Sequence, residues 1–264
     1  MKKVFSLFAG LAVLPGLVWG LNLGIKKDHI QKVHSIAIIS VYSNAEIAKS
    51  DARAGGIAAG IGFLKKMKDK KDNPALGHFG GTELVQYALD AYAKHLAGVK
   101  NWTVLDPKTV LASADFKAFV EDVKKEVGPK GMEMMDKTRS VPDGMVPYLF
   151  LNNKDKKKLS QMSDLCAKLK VDSVAIVEME LSQRSTFVTA GVAGKVWPGA
   201  AVTLKIVTAD GNVAVAAMGP KAEPAAPVEM KMDNIEDTPA ARAAFKEAIE
   251  KSAADFKNDL NQNI

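Results

Sequence analysis

Apolar and polar residues alternate most clearly between Asp172 and Met218, and the elements predicted there organise the rest of the chain. The run DSVAIVEMEL is followed by AVTLKIV, which turns at Ala209-Asp210-Gly211-Asn212 into VAVAAM. Asp-Gly between two apolar alternating runs is a strong hairpin signal, and it predicts a type I′ turn with φ above zero at both central residues. From Ser173 to Val177 the first strand is apolar on both faces; beyond it Val177, Met179 and Leu181 alternate with Glu178, Glu180 and Ser182. A strand that starts covered and ends half-solvated gives the sheet a buried end and an exposed end.

Upstream, SIAIISVYSN is apolar on both faces as far as Val41 and reads as a central strand. Thr82 caps a helix in which Leu84, Ala88, Tyr92 and Leu96 recur at fourfold spacing before Gly98. WTVLD, Trp102 to Asp106, is a short strand, and Pro107 opens a turn. Ser113 caps a second helix, striped by Phe116, Val120, Val123 and Val127 and ended by Gly128-Pro129. From Pro129 to Asn153 periodicity is lost and three methionines cluster, which predicts a surface loop. Helicity resumes with Leu159, Met162, Cys166 and Leu169 on one face. After the hairpin strands a Pro/Ala-rich connector leads to Thr238-Pro239 as cap and first residue of the last helix. There Phe245, Ile249, Phe256 and Leu260 point inward, and Arg242, Lys246, Glu250 and Lys257 lie largely outside.

Strand, helix, strand, helices, a three-strand meander and a final helix make an α+β fold: a mixed sheet with a C-terminal β-meander and helices packed on it. No internal repeat appears. Residues 33–264 are expected to form a single domain, interrupted at 45–81 by a flexible insertion of glycines, alanines and lysines. With 264 residues, 47% hydrophobic and 25% charged, the chain has the composition of an ordinary globular protein and enough length for a full core.

Residues 1–20 read as a signal peptide: MKK, an apolar stretch, then Val18 and Gly20 where signal peptidase reads small or aliphatic side chains. Cleavage after Gly20 leaves Leu21 as the mature terminus. Retention as an inner-membrane anchor is the alternative, against which stand Pro15 and a stretch shorter than the ~20 residues of a spanning helix. Loss of Lys2 and Lys3 with the leader leaves 34 basic against 30 acidic residues, a net +4 of the original +6. A nucleic-acid partner would require more clustered charge, so none is expected. Cys166 is the only cysteine. Hence there is no lipid-attachment cysteine behind the leader and no internal disulfide, and the core must hold the fold by itself.

The residues carry little chemistry. His29, His34, His78 and His95 are scattered, with no metal-binding pair at helical spacing. Cys166 sits at a core-facing position with nothing nearby in sequence to lower its pKa, so it reads as a small buried hydrophobe. The tract Gly55-Gly56-Ile57-Ala58-Ala59-Gly60-Ile61-Gly62 lacks GK[ST], and Lys65 stands where a dinucleotide fingerprint needs its third glycine. Lysines 65, 66, 68, 70 and 71, with Lys156 to Lys158, read as solvated surface. Met132, Met134, Met135, Met230 and Met232 read as adaptable packing, and Glu178 and Glu180 share an exposed strand face without an acid/base partner. No catalytic residue, cofactor or metal ligand is expected. The candidate contact site is the stretch SQRSTFVTAGVAGKVWPGA between Leu181 and Gly199, read as a loop leaving the core. Phe187, Val188, Val192 and Trp197 are its apolar centre, and Arg184 and Lys195 its charged rim.

The segments SIAIISVYSN, LAGVKNWTVLDPKTVL, LKVDSVAIVEMEL and VTLKIVTADGNV, in this order, resemble those of bacterial envelope proteins with the anticodon-binding-like fold. That group includes the curli-export protein CsgG, the penicillin-binding-protein activator LpoB and the amino-terminal domain of TolB. The resemblance runs from Val33 to the terminal helix; the lipobox cysteine is absent and the insertion from Ala45 to Gly81 is long. It implies a non-enzymatic protein, periplasmic or outer-membrane-associated and not lipidated. Its task would be binding an envelope protein or itself, through its sheet edge and its insertions, with a membrane surface as a further contact. The alternative is an envelope binding protein for a small ligand or an anionic polymer or membrane surface, held by the lysine-bearing insertion. Export itself is directly testable: mass spectrometry of the mature protein should place its terminus near Leu21, and an intact Met1 in a soluble cytoplasmic fraction would overturn it.

Overall fold

In the computed structural model, residues 24–49, 79–150, 152–186, 194–230 and 237–264 are described. Strands β1 (Ser35–Asn44), β3 (Thr103–Val104) and β5 (Ser173–Thr186) run parallel, while β6 (Gly194–Thr208) and β7 (Val213–Met218) return antiparallel, giving the order β3-β1-β5-β6-β7. Three short strands extend this sheet: β2 (Ala48–Lys49) beside β5, β4 (Arg139–Ser140) beside β1, and β8 (Val228–Met230) beside β6. The expected α+β class, with a mixed sheet, a C-terminal meander and packed helices, is the one found.

Helices α2 (Glu83–Ala97) and α6 (Pro239–Asn263) cover one face. Each buries the predicted stripe, Leu84, Ala88, Tyr92 and Leu96 on one and Phe245, Ile249, Phe256 and Leu260 on the other. Between them the Tyr92 hydroxyl meets Ser252 Oγ at 3.1 Å inside the core. At the rim Glu83 takes both Arg242 (2.7 Å) and Lys246 (2.5 Å), and Glu250 takes Lys94 and His95, each at 2.8 Å. The polar residues of the last helix thus clamp it to α2.

The opposite face is covered by α4 (Ala114–Thr138), α5 (Lys156–Leu169) and the irregular stretch 141–150, with the one-turn-and-a-half α3 (Pro107–Ala112) alongside. Three sequence expectations fail here. Gly128, at φ 75° and ψ 166°, breaks α4, but Pro129 then opens a second helical segment that runs to Thr138. Proline lacks only an N–H that the first helical turn leaves unpaired anyway, so Gly-Pro restarts the helix instead of ending it. The stretch 141–150 is no surface loop either, since Met145, Val146, Tyr148 and Phe150 are buried. Likewise Asp106 and Pro107 begin α3 as cap and first residue, with the Asp106 side chain accepting from Lys108 N.

Two further corrections concern turns and insertions. Among Ala209 to Asn212 only Gly211 has positive φ (75°); Asp210 does not, so the turn is not type I′. Gly211 N donates to Thr208 O and Thr208 N to Asn212 O, each at 2.9 Å, which is a type I turn followed by a glycine bulge. Both ends of the expected 45–81 insertion belong to the fold. Ala45 is buried and its carbonyl accepts from Phe79 N, Phe79 packs edge-on against Phe245 at 5.3 Å, and Gly80 N donates to Asp237. Residues 50–78, and with them the glycine tract and the lysine run, lie outside the described residues, as does the leader.

Ahead of β1 the chain adds three residues to the outer edge of β7. Lys26 N donates to Ala214 O (2.9 Å) and Ala216 N to Gly24 O (3.0 Å), with Ile25 opposite Val215. The helical turn α1 (Lys27–Ile30) then buries Ile30 and leads to β1.

A buried hydroxyl joins β1 to the irregular cover. Ser40 Oγ donates to Val146 O at 2.8 Å and accepts from Tyr148 N at 3.0 Å, out of reach of water. Ser40→Ala leaves both backbone groups unpaired in the core, so denaturant unfolding should show a loss of about 1–3 kcal/mol. A loss below a few tenths would mean that the segment can re-pair elsewhere.

Candidate functional site

The antiparallel pairing of β5 and β6 does not stop at Met179, where β5 ends its pairing with β1. It continues residue by residue from Ser173↔Thr208 to Thr186↔Lys195, so Leu181 to Gly199 is mostly paired strand and not a loop leaving the core. Leu181, Ser182, Gln183, Val196 and Gly199 are buried, because β2 flanks the extension on the β5 side and β8 on the β6 side. The chain that supplies β8 also lays Ala222 against Ala200 through two backbone hydrogen bonds of 3.0 Å.

Of the predicted contact residues, the structure brings together Arg184 and Trp197. They are cross-strand neighbours, and the guanidinium lies 4.6 Å above the indole centroid. Arg184 Nε and Nη2 also donate to Glu223, at 3.0 and 2.6 Å, and Lys221 stands 3.7 Å from the same carboxylate. The Arg184 hydrogen bonds, offset in part by burial, hold the Glu223 carboxyl below its ordinary pKa. Lys221 reaches this site by crossing Gly199, where a Cβ would stand 2.1 Å from Lys221 Cε and would make the flexible lysine shift. Lys195 is exposed, opposite Thr186 on one side and Glu229 on the other. Phe187, Val188 and Val192 lie outside the described residues.

Glu223 and Lys221 were not foreseen as site residues, since their stretch reads as a Pro/Ala-rich connector. The available signal was the pair of opposite charges two residues apart beside Pro220 and Pro224, at the foot of a Val-Glu-Met strand.

On the same face, closer to the core, Glu180 is exposed while Glu178 is half-buried beside Tyr42. Burial, then the Glu178 charge, push the Tyr42 hydroxyl far above the ordinary tyrosine range. Lys158 and Lys205 turn inward from α5 and β6 over the rings of Tyr148 (4.9 Å) and Phe150 (5.6 Å) and donate to the carbonyls of Leu149 and Phe150. Burial lowers the pKa of Lys205. These lysines hold the irregular cover in place, so Lys158 does not belong to the solvated lysine surface expected for 156–158; Lys157 pairs with Glu126 at 3.0 Å.

At the turn end of the sheet a depression of about 190 Å³ is lined by Lys32, Asp172, Thr208, Ala209 and Asp210. Its polar groups serve one another: Asp172 accepts from Ser35 N and Oγ, each at 3.0 Å, and Asp210 from Thr208 and from Lys32 at 3.0 Å. The volume is below the roughly 300 Å³ at which small-molecule sites begin. The Cys166 thiol is fully buried and pushed up to about 12, chiefly by burial, so it packs as a core hydrophobe. His29 and His34 stand apart at the start of the fold, His95 serves the α2–α6 clamp, and His78 lies outside the described residues. Of the methionines, Met135 is buried and Met134 is 55% exposed. Among the described residues no group of three His, Cys, Asp or Glu side chains is placed to hold a metal, and no helix is long and apolar enough to cross a membrane. The chain matches no protein-family model and no curated protein.

The Arg184–Glu223 pair contributes in a defined pH window. A carboxyl whose folded pKa is depressed adds stability that is complete above its unfolded pKa and is lost as pH falls through the folded value. Glu223→Gln should loosen the extension by about 0.5–1 kcal/mol. It should also abolish an acid-induced change in Trp197 emission that the otherwise unchanged protein, starting at Leu21 and carrying Trp102→Phe, shows below the ordinary carboxylate range. An identical acid profile in both proteins would remove Glu223 from the site.

Proposed function

We propose that this chain is an exported, non-enzymatic protein of the bacterial cell envelope that works by binding another protein, using the far end of the β5–β6 extension as its contact surface. One observation carries the reading. The hairpin continues past the part of β5 that pairs with β1, is braced on both edges, and holds an arginine-stacked tryptophan near its last described pair. Bracing of this kind adds little to the main core, but it pre-organises a surface. Arginine and tryptophan are the side chains most often dominant in protein contacts. The order of strands and helices, with its C-terminal meander and closing helix, supports the resemblance to the anticodon-binding-like envelope proteins. The leader supports export, and the missing lipobox cysteine supports a protein that is not lipidated.

Affinity capture from cross-linked envelopes identifies the partner, and the double variant Phe187→Ser with Trp197→Ser tests the surface. Association should weaken by more than ~1 kcal/mol, about fivefold or more, with the melting temperature nearly unchanged. Binding should also persist in salt. A variant that melts much earlier yet still associates normally would mean that the tip is structural. Association that salt abolishes would instead indicate an anionic polymer or lipid surface as the ligand.

A further inference from the structure

We propose that the outer edge of β7 is a strand-addition site for a second copy of this chain, kept closed in the monomer by the chain's own Gly24–Lys26. The strand VAVAAM carries no charge and no proline, so of the devices that keep edge strands from pairing with other chains it has only a covering segment, the strap. Its outward backbone groups are those of Ala214 and Ala216, and the strap answers them with two hydrogen bonds. Met218, further along the strand, is 72% exposed.

The strap holds by a narrow margin. Gly24 has φ 124°, and a Cβ there would stand 2.1 Å from Ala216 O, so the closed form tolerates no side chain at that position. Two hydrogen bonds and the half-buried Ile25 are little to set against the ordering of the segment. A second copy is the occupant the edge fits best. An uncharged strand paired antiparallel with itself about a two-fold axis meets its own alanines, with no like charges brought face to face and with Met218 covered in each copy. This edge runs along Val213–Met218, opposite residues 203–207 of β6, whereas Arg184 and Trp197 stand on the other stretch of the hairpin, so the inference stands whether or not the extension binds a partner.

The test uses the full chain and its Gly24→Val variant in sedimentation velocity. At equal concentration the dimer fraction should rise at least about tenfold in the variant, and adding Ala216→Pro should return it to monomer. That substitution removes an N–H pointing away from β6, so the β6–β7 ladder is spared. A folded Gly24→Val chain that stays monomeric, or a dimer that survives Ala216→Pro, overturns the proposal. Should Gly24→Val fail to fold, wild-type hydrogen exchange decides the matter. The Ala216 amide, bonded only to the strap, should exchange at least about tenfold faster than the amides of Val215 and Ala217. Equal protection would make the strap an integral strand and overturn the proposal.

Discussion

The parallel pairing of β1 with β5 is the constraint from which the rest of the structure follows. Such a pair is stable only when both faces are covered. Helices α2 and α6 cover one face with backbone groups that satisfy themselves. The other cover is partly irregular, and a buried stretch without a ladder must find partners for each of its amides and carbonyls. Pro142 and Pro147 reduce that demand by having no N–H. Ser40 meets two of the remaining needs, and the ammonium groups of Lys158 and Lys205 meet two more. The bulge in β1 is part of this arrangement. Ile38 is paired with Ala175 but Ser40 with Ile176, so the extra residue Ile39 moves Ser40 off the helix face and onto the side of the irregular cover. Without it the hydroxyl would point among the side chains of α2 and α6, and Val146 O and Tyr148 N would have no partner.

Elements whose stability comes from a periodic apolar stripe were legible in the sequence. Helices α2, α5 and α6 and strands β1, β5, β6 and β7 follow the runs that predict them, and Cys166 packs where its helical position places it. Legibility ended where a different interaction decides the conformation. The Gly-Pro at 128–129 contains a stop and a start, and a stripe-based reading sees only the stop. The stretch 141–150 has no period because side chains far away in sequence satisfy its backbone. In the hairpin turn, Thr208 and the glycine at 211 suffice, so Asp210 avoids the left-handed region that a β-carbon makes costly.

The extension was misread for a related reason. Alternation predicts a strand when one face is apolar, but Ser182, Gln183 and Thr186 are polar, and Gly199 offers no side chain at all. What keeps these residues paired is lateral: two-residue β2 on one edge and three-residue β8 on the other, neither of which has a pattern long enough to detect. The glycine leaves room for the Lys221 side chain to pass over the strand toward Glu223.

A division of stability follows from this construction. Around β1 and β5 the structure rests on apolar side chains shut away from water, and opening it costs the whole fold. In the described residues beyond Leu181 it rests on ladder hydrogen bonds between narrow strands, on buried Val196 and Ala200, on the Arg184–Trp197 stack and on the Glu223 carboxylate shared between Arg184 and Lys221. Such a part can loosen or re-pair without unfolding the core. A contact surface placed there is held in shape by its flanking strands, while the sheet beneath it fixes where on the molecule that surface stands. The interaction that would set the surface's affinity, Arg184 over Trp197, is therefore separated from the interactions that set the protein's stability, so either set can change in sequence while the other is kept.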